Sequence, residues 1–181
     1  MKVLILFESM FGNTESLAGD VLDGLTDSGA ETTMVEVGSA DQADLDDFQL
    51  LVVAAPTHAL SLSKLQSRID AAARGADALR VKVGVRDWLA HLGETLPTEA
   101  RRPATAVFDT RVVKSRHWPG SAASRAARIL RSNDFTVIDR TSFYVEGIAG
   151  PLTAGEHERA YTWGRSLTSR AELVGAHGSR R

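Results

Sequence analysis

Cysteine is absent from the 181-residue chain, which excludes disulfides, thiolate chemistry and cysteine-ligated metals. No apolar run is long enough to span a bilayer. No basic segment with an apolar stretch and cleavage site precedes the first strand, expected from Lys2, so a cytoplasmic location is expected. There is no internal repeat, low-complexity tract or linker. Residues 1–173 are therefore expected to form one domain, with 174–181 as a tail that frays. A Walker loop ending in Gly-Lys-Ser/Thr is missing, as is a Gly-x-Gly-x-x-Gly fingerprint, which argues against a nucleoside triphosphatase and a dinucleotide fold. Ser61 and Ser142 lack the context of a nucleophile elbow, which argues against a serine hydrolase. His157 and Glu158 find no third ligand at metal spacing, so no metal is expected. The single basic and aromatic cluster Arg116-His117-Trp118, with no basic stripe around it, does not make a nucleic-acid surface.

What is present begins with an apolar run, Val3-Leu4-Ile5-Leu6, followed by Ser9-Met10-Phe11-Gly12-Asn13-Thr14 and a helical pattern through Leu17, Val21 and Leu25. A strand that turns through small polar residues into a helix presents free backbone N–H groups at the positive end of the helix dipole. Ser9, Asn13 and Thr14 add side-chain donors, Gly12 permits close approach, and no acid lies between Ser9 and Thr14. The stretch reads as a phosphate site.

The chain then alternates strand and helix. Strands are expected at Lys2–Phe7, Glu31–Val37, Leu50–Ala55, Ala104–Phe108 and Phe135–Ile138, the last extended or followed by Phe143–Val145. Helices are expected at about Thr14–Ser28, Ser63–Arg74, Ser121–Arg131 and Ala154–Ala171, with helical spacing also in Val85, Trp88, Leu89 and Leu92. This pattern gives an α/β, doubly wound parallel sheet with right-handed crossovers and helices on both faces. Ligands of such folds sit beyond the carboxyl ends of the strands. Three polar loops leave those ends: Ser9–Thr14, Pro56–Ser63 and Asp109–Pro119.

Charge is unevenly spread. Residues 1–63 hold one base and eleven acids, a balance of −10, and the remainder holds 20 bases and 12 acids, a balance of +8. Two solvated faces of opposite sign explain this. A dipolar surface that orients a charged partner is the sharper reading.

The chain resembles the flavodoxins. The resemblance rests on Ser9–Thr14 after the first strand, on Pro56-Thr57-His58 after the third, and on the passage Leu45–Val53 leading into it. It spans the chain from the first strand to the last helix, apart from Gly75–Arg102. It implies a five-stranded sheet in the order 2-1-3-4-5 and flavin mononucleotide (FMN) at the switch in strand order. By position, Ser9, Met10, Phe11, Gly12, Asn13 and Thr14 bind phosphate. Pro56, Thr57, His58 and Ala59 line one side of the ring, and Phe108, Asp109, Thr110 and Arg111 the other. Many flavodoxins sandwich the ring between Trp and Tyr, whereas here the second loop offers His58 and the third no Tyr. A cation at Arg111 favours the anionic reduced ring, implying a less reducing flavin. The resemblance implies an electron carrier docking redox proteins through its acidic N-terminal half. A flavin-dependent NAD(P)H or quinone reductase is the alternative, its pocket built by Gly75–Arg102 and the loop bearing Trp118. A module that has lost the flavin and acts by protein contacts is the third reading.

Overall fold

A computed structural model of the chain describes residues 1–40 and 43–178. Part of the acidic turn Gly38–Asp47 and the end of the tail, residues 179–181, lie outside the described residues.

Five strands form one parallel sheet: β1 (Lys2–Phe7), β2 (Glu31–Glu36), β3 (Leu50–Pro56), β4 (Ala104–Val112) and β5 (Val137–Val145). Their order is β2-β1-β3-β4-β5, as the resemblance implies. β1 and β3 are central and apolar on both faces, as a doubly covered parallel sheet requires. Alternate residues feed two cores. Val3, Ile5, Phe7, Val52 and Phe108 pack under α1 (Asn13–Asp27) and α5 (Glu156–Gly178). Leu4, Leu6, Leu51, Val53 and Val107 pack under α3 (Val85–Thr95) and α4 (Ala122–Ser132). On the first face α1 and α5 meet backbone to backbone at glycine. A Cβ on Gly24 would stand 2.2 Å from the Tyr161 carbonyl oxygen, and one on Gly164 would stand 2.4 Å from that of Val21.

The remaining helix, α2 (Leu65–Ala72), covers neither core. Its Ala71 packs with Met10, Phe11 and Ala76, so it sits over the loop after β1. No helix among the described residues is long and apolar enough to cross a membrane.

Several boundaries differ from those expected. β4 runs on through Asp109-Thr110-Arg111-Val112, because these polar side chains find partners at the sheet edge. β5 is one strand from Val137 to Val145, its Asp139 bonded to Trp163 and paired with Arg170 of α5. β3 includes Pro56, whose missing N–H falls at the strand's last residue. α2 is shorter than expected. α5 extends past Ala171 to Gly178 through Glu172 and Leu173, both good helix formers.

Candidate functional site

The turn between β1 and α1 is built around Gly12, whose φ of +88° is the left-handed conformation that glycine adopts without steric cost. The first helical bond runs from Ser16 N–H to the Gly12 carbonyl at 2.9 Å. Ahead of it, the N–H groups of Met10 through Thr14 meet no acceptor among the described residues. The Ser9 hydroxyl is fully buried and makes no hydrogen bond there either. A buried donor left without an acceptor is costly, so this set of donors has the chemistry of a cradle for an anion. Thr14 and Thr110 share a hydrogen bond of 2.8 Å between their hydroxyls, which ties the first loop to β4. The Asn13 amide donates to the Ala149 carbonyl at 3.1 Å and closes the loop after β5 over the first loop.

The second loop is clamped to the third. Thr57 N–H donates to the Thr110 carbonyl at 2.8 Å. Its hydroxyl donates to Asp109 Oδ2 at 3.1 Å and accepts from Ala122 N–H at 2.8 Å. Asp109 Oδ2 also accepts from Ala123 N–H at 2.8 Å, so this carboxylate serves the N-terminus of α4. Beyond Thr57 the chain reverses in a tight turn, with reciprocal backbone bonds between His58 and Ser61 at 2.9 and 3.0 Å. Ala59 and Leu60 hold φ of 46° and 62° in that turn. Left-handed geometry at a residue with a Cβ costs about 1–2 kcal/mol, and such strain gathers where a loop shapes a ligand site. Leu60 rests against Gly120, where a Cβ would meet its carbonyl oxygen at 2.9 Å. Burial, and then the positive charge of Arg68, hold the His58 pKa below its usual value, so its imidazole is neutral at pH 7.

Arg111 is buried in the cavity wall without a carboxylate partner among the described residues. Its guanidinium donates to the Ser115 carbonyl and, at 3.2 Å, to that of Trp118, which pins the loop after β4.

These loops enclose a cavity of about 850 Å³ at the carboxyl edge of the sheet. Ser9, Met10, Phe11, Asn13, Thr14, Pro56, Thr57, His58, Ala59, Thr110 and Arg111 all line it. Gly12 supplies the turn behind the wall, Phe108 lies in the core against Phe143 and Trp163, and Asp109 points into α4. The Trp118 side chain, 61 % exposed, is not on the wall. Residues not anticipated from sequence complete the lining. Leu60, Ser61 and Leu62 come from the turn, Gln66, Ser67, Asp70 and Ala71 from α2, and Lys64 and Arg74 from just beyond its two ends. Arg86 belongs to α3, Ser124, Arg125 and Arg128 to α4, and Ile148 to the loop after β5. Ser67 and Ala71 share one side of α2 with a cation beyond each end, at Lys64 and Arg74, and that spacing is the signal that could have found it.

Behind the first loop lies a buried polar network. Arg68, 1 % exposed, donates from Nε to the Val81 carbonyl at 2.7 Å, from Nη1 to Ser63 Oγ at 3.0 Å, and from Nη2 to Asp87 Oδ2 at 2.6 Å. Glu8 is fully buried beside it, and its Oε2 accepts from Val85 N–H, the first amide of α3, at 2.8 Å. Burial raises the Glu8 pKa, against the lowering effects of Ser63, the Val85 amide and Arg68.

No protein-family model and no curated protein matches the chain. Solved structures do. A flavodoxin from the domain Archaea superposes with a TM-score of 0.64 at 14 % identity, over 95 % of this chain and 99 % of that one. Oxidised flavodoxin 1 from Bacillus cereus gives 0.62 at 13 % identity, over 93 % and 98 %. The flavodiiron protein from Giardia intestinalis gives 0.60 at 20 % identity, over 95 % of this chain and 36 % of that longer one. The chain thus has the flavodoxin-like fold.

Proposed function

We propose that the protein binds FMN non-covalently and moves electrons through it. The observation that carries this reading is the unsatisfied donor set of the first loop, Ser9 Oγ with the N–H groups of Met10–Thr14, opening on the cavity at the switch between β1 and β3. A phosphate monoester satisfies those donors without a cation in the loop. The turn His58–Ser61 and the wall at Thr110–Val112 then flank the space for a flat ring. When bound, the flavin supplies the redox chemistry. The protein's part is to anchor the phosphate, hold the ring between two clamped loops and set the local field with a neutral His58 and the Arg111 cation.

The test is titration of flavin-free protein with FMN, read by quenching of flavin fluorescence. A one-to-one endpoint is expected. Replacing Ser9 and Thr14 together by Ala removes two hydroxyls from a charged ligand and weakens binding at least ~tenfold. A protein that leaves FMN fluorescence unchanged overturns the reading and leaves a fold that acts by contacts alone.

As a carrier, the protein docks redox partners through its acidic N-terminal half. A second reading, a reductase acting on a small substrate, is favoured by one observation: the cavity continues past the ring-flanking loops to α2, α3 and α4. A carrier needs only an exposed ring edge. Steady consumption of NADH with a quinone and no added reductase separates the two.

A further inference from the structure

Where the cavity reaches α2 and α4 its lining changes character. Lys64 and Arg74 border it from the α2 side, Arg125 and Arg128 from α4, and Arg86 from the first turn of α3. None of the five pairs with a carboxylate among the described residues. The acid on this wall, Asp70, accepts from the Gln66 amide at 2.9 Å. Arg86 is fixed in place, donating to the Ser63 and Leu62 carbonyls at 2.8 and 2.6 Å. Five like charges around one concavity repel each other, and nothing in the chain's own ion pairing relieves them.

The spacing is informative. Ser67 and Ala71 share one side of α2, with Lys64 and Arg74 just beyond its ends, and Ser124, Arg125 and Arg128 share one side of α4 after its N-cap Ser121. Ser67, Ala71 and Ser124 are small and leave room between the cations. The eight residues of α2 alone extend about 12 Å, more than one phosphate group occupies. Guanidinium forks suit phosphate oxygens, which they bind in pairs. A two-sided concave lining suits a small molecule better than the flat face of a protein.

We infer that this end of the cavity binds a second ligand beside the flavin, a nucleotide whose pyrophosphate is held by Lys64 and Arg74 at the ends of α2 and by Arg125 and Arg128 of α4. Its place beside a flavin rests on the reading above, while the grip itself uses none of the flavin loops. Two sources carry this chemistry, a pyridine dinucleotide and a plain adenine nucleotide.

The experiment is calorimetric titration of the full chain, FMN-loaded and at low salt, with NADP⁺, ADP and adenosine. One-to-one binding of NADP⁺ or ADP is expected, with none for adenosine, and added salt weakens it. NADP⁺ clearly tighter than ADP identifies a dinucleotide site, and equal affinities identify an adenine-nucleotide site. R125Q/R128Q weakens binding at least ~tenfold through two lost charge-assisted contacts, and R125K/R128K restores part of it. Melting temperatures of these variants check that they fold. The inference is overturned if neither nucleotide binds the FMN-loaded protein or if R125Q/R128Q binds as the wild type does. It is equally overturned if ADP displaces FMN, or if polyglutamate alone binds. Should FMN fail to bind while ADP still depends on Arg125 and Arg128, the flavin reading falls and the grip stands.

Discussion

Replacing Arg68 by Met removes a charge that is buried and fully engaged, while keeping most of its volume. Three strong hydrogen bonds vanish, to the Val81 carbonyl, Ser63 and Asp87. Removing one partner of a buried pair costs about 3–5 kcal/mol. The Asp87 side chain is 46 % exposed and keeps water as a partner, so the lower end applies. For a chain of this size about 3 kcal/mol corresponds to a fall of about 6–12 °C in Tm. The loss is also pH-dependent, through Glu8. Its folded-state pKa is raised above 4.5, chiefly by burial, so the folded protein binds the Glu8 proton more tightly than the unfolded chain does. Stability contributed by this group therefore falls as pH rises from about 4.5 through the folded pKa. Arg68 offsets part of that fall by favouring the carboxylate, so Arg68→Met steepens it. Urea denaturation of wild type and variant at pH 5 and pH 7.5 measures the effect. The gap should be larger at pH 7.5 and should shrink when Glu8→Gln is added. Equal gaps at both pH values would show that Glu8 does not feel Arg68, and the account of the network would be wrong.

Gly24→Ala should destabilise by about 1–2 kcal/mol in the same assay, since overpacking against the Tyr161 carbonyl outweighs the better helix propensity. Gly19→Ala in the same helix meets nothing within 4 Å and should be neutral or stabilising. Arg111→Ala should lower the potential of bound flavin. A fixed unit charge at the wall of a site with an effective dielectric of about 20 contributes on the order of 1–2 kcal/mol, which is on the order of 50 mV for one electron. A redox titration showing no change would remove Arg111 from the electrostatic account.

The central strands and the first loop were legible because local chemistry dictates them. Val3–Leu6 and Leu50–Ala55 are apolar on both faces, and only a glycine placed like Gly12 turns the chain so tightly into α1. The end of β4 was placed too early for a physical reason. Asp109, Thr110 and Arg111 are polar, as loop residues commonly are, yet each is buried at the end of β4 by a partner distant in sequence or by a backbone carbonyl. Arg68 gave no signal at all, because a buried arginine in a helix has the same spacing as an exposed one. The cations beside α2 and on α4 were visible as residues but not as neighbours, since it is the tertiary fold that brings them to the wall of one cavity.

The acids Glu8 and Asp109 flank the first and third loops, and their placement keeps those two loops free of negative charge. Glu8 immediately precedes the first loop and Asp109 stands at the start of the third, where either carboxylate would repel a phosphate. Both are turned inward to helix N-termini, Glu8 to the first amide of α3 and Asp109 to the second of α4. There the free amides donate to their oxygens. Thr57 and Ser121 satisfy further amides of α4, and Asp87 accepts from Gly84 N–H at the start of α3. The N-terminus of α1 receives no such partner: Gly12 has no side chain to offer, and Glu15 in its first turn is drawn away by Arg80 at 2.7 Å. Among the starts of α1, α3 and α4, the last two are capped by the chain's own carboxyl groups, and the first has no side-chain cap among the described residues.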